Sequence, residues 1–461
     1  MLEKQFPQTV EIQPELVAHH YTEAGLGDQA LPYWQRGGEH ASRRSANKEA
    51  IGHLTKGLEV LKTLPDTPER AQQELTLQIA LGAPLIATQG WAAPETVHTY
   101  TRAREICEQI GETPQLFPAL WGLYQVYMTQ AEYQGAHELA EELFTLAQRR
   151  QDHTLLLVAH YALGMSLYYL GEFARAQEHL EQGLVLYDPP QHRSLAFLYG
   201  QDFGVSCLFW TAFALWHMGY PGQALRKSSE ALILAQDSTH PFSLAIALAS
   251  TVIVRQLRHE EHATQEQATA LIALCTEQGI PFFLAWGIIW RGWALAAQGQ
   301  KKEGIAQIRQ GLAASQATGA ENWQTQFLAL LAETYGRVGQ AEEGFPVLNE
   351  ALAQADRTGE RYYEAELYRL KGTLTLQSKA QGPKSKVQEA EACFLKAVDI
   401  ARKQQAKSLE LRATMSLARL WQQQGKQQEA HALLSEIYNW FTEGFDTKDL
   451  QETRALLDAL V

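Results

Sequence analysis

Apolar and polar positions along this chain fall into a repeating phrase. A helix rich in small and apolar residues is followed by a Gly, and then by a second helix that opens near an Ala. LGMSLYYLGEFARAQEHLEQGL from Leu163, FALWHMGYPGQALRKSSEAL from Phe213 and WALAAQGQKKEGIAQIRQGL from Trp293 carry it. LLAETYGRVGQAEEGFPVLNEAL from Leu330 and LARLWQQQGKQQEAHALL from Leu417 continue it. The small residue on the second helix falls at Ala136, Ala176, Ala224, Thr264, Gly304, Gly344, Ala390 and Ala430, at intervals of 40, 48, 40, 40, 40, 46 and 40 residues. Twelve positions earlier stand Tyr124, Gly164, Ala212, Val252, Gly292, Ala332 and Ala418 on the first helix; in the 46-residue unit the equivalent is Gly372, six positions further back. A near-constant period of this length predicts stacked helical pairs, an all-α solenoid. The extra eight residues before Ala224 are expected around Asp188–Gln191 and Tyr199–Gly204, and the extra six in a polar loop, Gln377–Lys386. The expected organisation is a lead-in at residues 1–13, a solenoid over 14–446 and a capping helix over 447–461.

Small residues at these two places are what the tetratricopeptide repeat requires, at positions 8 and 20 of its consensus, so that the two helices can approach closely. Tyr133 and Phe173 supply its aromatic at position 17, and Trp34, Gly38, Ala50 and Leu54 fit positions 4, 8, 20 and 24 of an earlier unit. A degenerate unit, Arg70–Glu112, lies between. The resemblance implies a right-handed α-solenoid of about ten tetratricopeptide-like helix pairs. A narrower resemblance rests on HHYTEAG from His19, HLTKGLEVLKTLPDTPERAQQELTLQIALG from His53, RGWALAAQGQ from Arg291, AELYRLKG from Ala365 and WFTEGFDTKDLQE from Trp440. With these phrases the chain resembles the C-terminal repeat region of large bacterial signalling proteins, in which a nucleotide cyclase and a STAND-type NTPase precede the repeats. MLEKQFPQTVEIQPEL resembles the segment that joins NTPase to repeats. No GxxxxGK[ST] phosphate loop occurs, and no cyclase-type carboxylate pair in a strand context, so the resemblance carries over no catalytic residue.

Composition changes this picture little. Of 461 residues, 46% are apolar, enough for a continuous core, and only 16 are Pro, which suits long helices. The net charge of -13 disfavours a phosphate backbone as partner. Arg43–Arg44, Arg149–Arg150 and Lys301–Lys302 read as solvated helix ends rather than nucleic-acid contacts. Cys107, Cys207, Cys275 and Cys393 lie far apart, with no CxxC, and are expected to be reduced, buried thiols. Met1–Ile12 is polar and lacks a signal peptide's apolar run. Val205–Met218 and Pro241–Val254 are too short to span a bilayer, and Arg291 interrupts Pro281–Ala297. A cytoplasmic protein with no membrane partner is expected.

Candidate chemistry is sparse. His259-Glu260-Glu261-His262 is the one dense His/Glu cluster and reads as a polar inter-helix turn rather than a metal site. Neither HExxH nor GxSxG is present, and no metal, cofactor or catalytic residue is expected. The informative pattern is aromatic. First-helix positions that face the concave side of a tetratricopeptide array include Trp121; Tyr161, Met165 and Tyr168; Phe209, Phe213 and Trp216; and Trp293, with Trp286 and Trp290 one row away. Spacing of i, i+4, i+7 keeps each set on one face. Two arrangements accommodate them: an open, aromatic-lined groove, or tight superhelical winding that buries the same residues. The equivalent positions of later units include Glu333 and Arg369, so that end should be more polar. An open stripe would suit a protein, a peptide or a small apolar effector. The expected function is therefore a non-catalytic sensor scaffold that regulates an attached or partner NTPase or cyclase. A homo-oligomeric assembly scaffold and an enzyme with an unrecognised groove site are the alternatives.

Overall fold

Helices are the regular elements throughout residues 13–111, 113–238, 240–379 and 382–461, which the computed structural model describes. The lead-in expected at 1–13 lies outside them apart from its last residue. A leading helix α1 (Pro14–Glu23) is followed by pairs α2/α3 (Gly27–Arg43, Asn47–Leu61), α4/α5 (Pro68–Gln89, Pro94–Ile110), α6/α7 (Leu116–Thr129, Tyr133–Arg150) and α8/α9 (His153–Tyr169, Phe173–Leu186). Two short helices, α10 (Pro189–His192) and α11 (Leu195–Tyr199), occupy the eight-residue insertion. Then come α12/α13 (Phe203–His217, Pro221–Gln236), α14/α15 (Pro241–Leu257, Glu261–Gln278) and α16/α17 (Pro281–Ala297, Lys301–Ala317). The last pairs are α18/α19 (Gln324–Arg337, Ala341–Thr358), α20/α21 (Glu364–Gln377, Pro383–Lys403) and α22/α23 (Lys407–Gln423, Gln427–Tyr438), and α24 (Lys448–Asp458) ends the stack. These are ten pairs in an all-α, tetratricopeptide-like solenoid.

Local chemistry sets the helix ends. Pro68, Pro94, Pro221, Pro241 and Pro281 open helices, where the missing N–H has no bond to lose. The Asp152 carboxylate accepts from the amides of Thr154 and Leu155, and that of Asp202 from Val205, capping α8 and α12. The turn inside most pairs needs a positive φ, supplied in four of them by Gly171, Gly219, Gly299 and Gly339. Ala131 and His259 occupy the same turn without glycine, at φ 58° and 59°.

The small-residue ruler marks where the helices of a pair meet. A Cβ on Gly292 would lie 2.8 Å from the carbonyl oxygen of Gly304, twelve residues on, and 2.8 Å from the amide of Ile308. A Cβ on Gly164 would collide with Leu180, and one on Gly38 with Leu54. Backbone takes the space at Gly292, and a packed leucine side chain takes it at Gly164 and Gly38.

Winding of the stack decides the rest. Main-chain carbonyls at the ends of α6, α8, α12 and α14 have no partner within their own helices. Donors from far along the chain reach them, on Trp216 O in addition to the nearby Gly219 amide at 3.1 Å. Thr129 O accepts from the amides of Glu321 (2.7 Å) and Asn322 (3.2 Å), and Tyr169 O from that of Arg361 (2.9 Å). Trp216 O accepts from Ser408 Oγ at 2.5 Å, 192 residues away, and Leu257 O from Arg412 Nη2 at 2.6 Å, 155 away. One superhelical turn thus rests on the next, and the concave faces of the early units close against the turns of the late ones.

Candidate functional site

All ten residues of the expected stripe are 6% exposed or less. An open aromatic groove is therefore not the state of this chain, and tight winding is. The physical reason is the seam just described, which brings Trp323 and Tyr362 from the turns before α18 and α20 into the concave space. Trp323 packs on Trp286 (ring centroids 4.9 Å), Phe213 (5.6 Å) and Trp210 (6.0 Å). Tyr362 packs on Tyr168 at 5.1 Å. Such pairs contribute about 0.5–1.5 kcal/mol each beyond the area they bury.

Three environments divide the ten residues. Trp121, Tyr168, Phe213 and Trp290 are packed core: Trp121 donates to Tyr199 O at 3.3 Å, and Trp290 meets Phe327. Trp216 and Trp293 lie under guanidinium groups, Arg412 over the first at 4.8 Å and Arg337 over the second at 5.8 Å. Tyr161, Met165, Phe209 and Trp286 line a cavity of about 40 Å³ between the turns, with Trp210, Phe282, Phe283 and Trp323.

The cavity's walls are aromatic, and several polar atoms of its lining residues are unpaired. Trp91 Nε1, Ser206 Oγ, Trp286 Nε1 and Asn322 Oδ1 are buried and make no hydrogen bond among the described residues, while the Gln125 and Gln201 amides have only the Tyr161 hydroxyl beside them. An unpaired buried polar group costs about 1–3 kcal/mol, so four around one space is a departure that calls for a reason. Beside Gln125 and Gln201 is the Tyr161 hydroxyl, which accepts from Trp210 Nε1 at 3.4 Å and donates to Met165 Sδ at 3.3 Å. Burial pushes its pKa up to about 12, and nearby Gln201, Trp210 and Gln125 limit the rise. It stays a neutral donor. About 40 Å³ holds about three water molecules, so a ring-sized ligand enters only as the turns part.

Sequence reasoning missed half of this site. Gln125 stood on a groove position but drew no attention as an amide. Gln201 sits at the insertion, Ser206 lies in the first turn of α12, and Trp91, Asn322 and Trp323 sit in turns outside any helical register.

Further along, the concave face is polar, as Glu333 and Arg369 suggested. A cleft of about 400 Å³ is lined there by residues of α18, α20, α22 and α24, and by His259. The His259–His262 segment is a turn and the start of α15. No group of three or more His, Cys, Asp or Glu among the described residues is placed to hold a metal ion. All four cysteines are free and buried, and no helix among the described residues is long and apolar enough to cross a membrane.

Comparison with known proteins agrees with the fold. A tetratricopeptide-repeat family model matches residues 157–182 and 411–436, in α8/α9 and α22/α23. An uncharacterized protein of Rhizobium meliloti (strain 1021) is 26% identical over 407 residues, which cover 88% of this chain. The matched part is 39% of that relative's length, so the chain spans well under half of it. Among solved structures, a Rap protein complexed with competence and sporulation factor matches with a TM-score of 0.51 at 10% identity, over 76% of this chain and 99% of that one. A Pyrococcus horikoshii STAND protein with a tetratricopeptide-repeat sensor gives a TM-score of 0.38 at 13% identity, over 87% of this chain and 66% of that one.

Proposed function

We propose that this chain is a non-catalytic sensor scaffold, acting in the cytoplasm, that recognises a small, mostly apolar effector carrying hydrogen-bonding groups. The effector sits in the inter-turn cavity against Tyr161, Met165, Phe209 and Trp286, and regulation of a signalling NTPase or cyclase, attached or separate, follows. The observation that carries this reading is the set of four unpaired polar atoms on residues that line one aromatic cavity. The tetratricopeptide-like fold supports a binding role, and the tight seam favours a small effector over a peptide at this place. A ligand that pairs those four atoms stabilises a slightly parted arrangement of the turns over the closed one. A ligand shifts an equilibrium only by such a difference in affinity. The change in superhelical pitch is the signal passed on.

Phenol, an aromatic ring with one hydroxyl, is a direct probe, with cyclohexane as the apolar control. Low-millimolar phenol should raise the unfolding midpoint of the wild-type chain more than cyclohexane does. Trp286→Phe and Gln201→Leu should abolish that preference while helical content is kept. Equal effects of both probes, or a preference untouched by both substitutions, would show that the cavity is merely imperfect packing.

A further inference from the structure

The first three steps of the seam share one spacing. Thr129 O with the Glu321 amide, Tyr169 O with that of Arg361 and Trp216 O with Ser408 Oγ each join residues 192 apart. The same step from Leu257, at the end of α14, lands on Asp449, the second residue of α24. There the chemistry of the seam changes from buried main-chain bonds to ion pairs. The fourth step is covered by the segment between α23 and α24, Trp440–Thr447, whose phrase WFTEGFDT belongs to no helix pair.

This strap is tied down mainly by charge. Glu443 Oε1 accepts from the Gln223 amide at 2.8 Å. Helix α13 has no capping side chain of its own, so a carboxylate from 220 residues away caps it. Asp446 Oδ2 accepts from Arg258 Nη2 at 2.6 Å, and Lys448 Nζ donates to Glu261 at 3.0 Å. Shape matches the same seat: a Cβ on Gly444 would collide with Pro221, and Trp440 packs on Tyr220 at 5.6 Å. Yet the seat is wet. The Asp446 side chain is 72% exposed and that of Lys448 49%, whereas Thr129, Tyr169 and Trp216 are buried. Exposed ion pairs contribute little each. Arg258, the buried partner, also holds Glu260 at 2.6 Å and Pro221 O at 3.1 Å, so release of Asp446 leaves no buried charge alone. Arg412 and Asp449, paired at 2.8 Å, lie on the same late turn and move together.

We propose that residues 440–448 are an ionic latch on the superhelix. Seated on α13 and α15, they hold the late turn against the early one, and their release lets the seam open from its free end toward the aromatic cavity. Superhelical pitch is a sum of small rotations between units, so a held end resists parting and a free end permits it. The cavity lies beside the first step, where Thr129 and Asn322 line it. The regulatory meaning of the latch rests on the reading of that cavity as an effector site.

Hydrogen exchange of the full chain without ligand, followed by mass spectrometry, tests the latch. Glu443→Gln with Asp446→Asn removes both carboxylates at nearly constant shape. At low salt the double variant should exchange about tenfold faster than wild type over 440–448 and the first turn of α13. A smaller increase should reach Glu321 and Asn322, whose amides bond Thr129 O. Wild type in about 1 M NaCl should approach the variant, which gives the same comparison with no substitution. Asp399→Asn, which breaks an exposed pair with Lys403, should change neither region. Low-millimolar phenol should then raise the unfolding midpoint of the double variant more than that of wild type, because its parted state is more populated. Unchanged exchange over 440–448, or faster exchange there with Glu321 and Asn322 unmoved, would overturn the latch. Faster exchange at both places with no phenol response in either chain would support the latch and refute the effector site.

Discussion

Trp323→Ala probes the contact on which the closed state depends. Trp323 is fully buried in the turn before α18, at φ 66°, and packs on Trp286 of a neighbouring unit but also on Tyr169, Trp210 and Phe213, more than a hundred residues earlier in the chain. Truncating a buried Trp costs about 3–5 kcal/mol in lost transfer energy and residual cavity. Alanine is as strained as Trp at positive φ, so no backbone relief offsets the loss. In a simple solenoid a change in one unit is felt by its immediate neighbours. Here the seam should spread it. Hydrogen exchange followed by mass spectrometry should therefore show lost protection in α8 and α12 as well as in α16 and α18, while circular dichroism stays nearly constant. The dye ANS should bind where the aromatic stripe is uncovered. Lost protection confined to α16–α20 would refute the inter-turn seam, and with it the enclosure of the cavity.

Two further outcomes follow from packing and titration. Gly292→Ala and Gly52→Ala are the same substitution with opposite expected signs. The first sets a Cβ about 0.5 Å inside ordinary contact with backbone, an overpacking cost of about 1–3 kcal/mol against roughly 1 kcal/mol of helix propensity. The second meets open space on α3 and should stabilise by about 0.5–1 kcal/mol; urea unfolding midpoints check both, and two shifts in the stabilising direction would refute the close approach of α16 and α17. Burial lowers His217 to about 3 and His240 to about 4, below the usual 6.5 that they regain on unfolding. The unfolded chain therefore takes up protons first, and stability that is complete above about pH 6.5 should be lost as pH falls toward 4. Buried Glu360, raised to about 7, works in the opposite sense, since its protonated form belongs to the folded state and its contribution fades as pH rises from 4.5 to 7. Glu360→Gln should steepen the rise of unfolding midpoint between pH 4.5 and 7, and an unchanged slope would refute its burial as an acid.

The repeat itself was legible because it is local. Gly164 against Leu180 and Gly292 against Gly304 are contacts within one helical pair, and a spacing of twelve to sixteen residues leaves its mark at a fixed period. The aromatic faces were legible for the same reason, since i, i+4, i+7 spacing is a property of one helix. What those faces meet was not. Trp216 O with Ser408, Thr129 O with Glu321 and Trp210 with Trp323 join residues that no periodicity relates. Each depends on the small rotation between successive units, summed over about three to five of them.

Sequence alone thus determined that this chain is a stack of helix pairs, which faces are apolar and which end of the concave side is charged. Only the tertiary structure decided that the aromatic faces close on the next superhelical turn, leaving one small cavity ringed by unpaired polar atoms and one open cleft. The physical reason is that helix pairing is fixed by side chains a dozen or so residues apart. Superhelical pitch accumulates from many weak inter-unit contacts, and it decides whether a face meets water, a ligand or another part of its own chain.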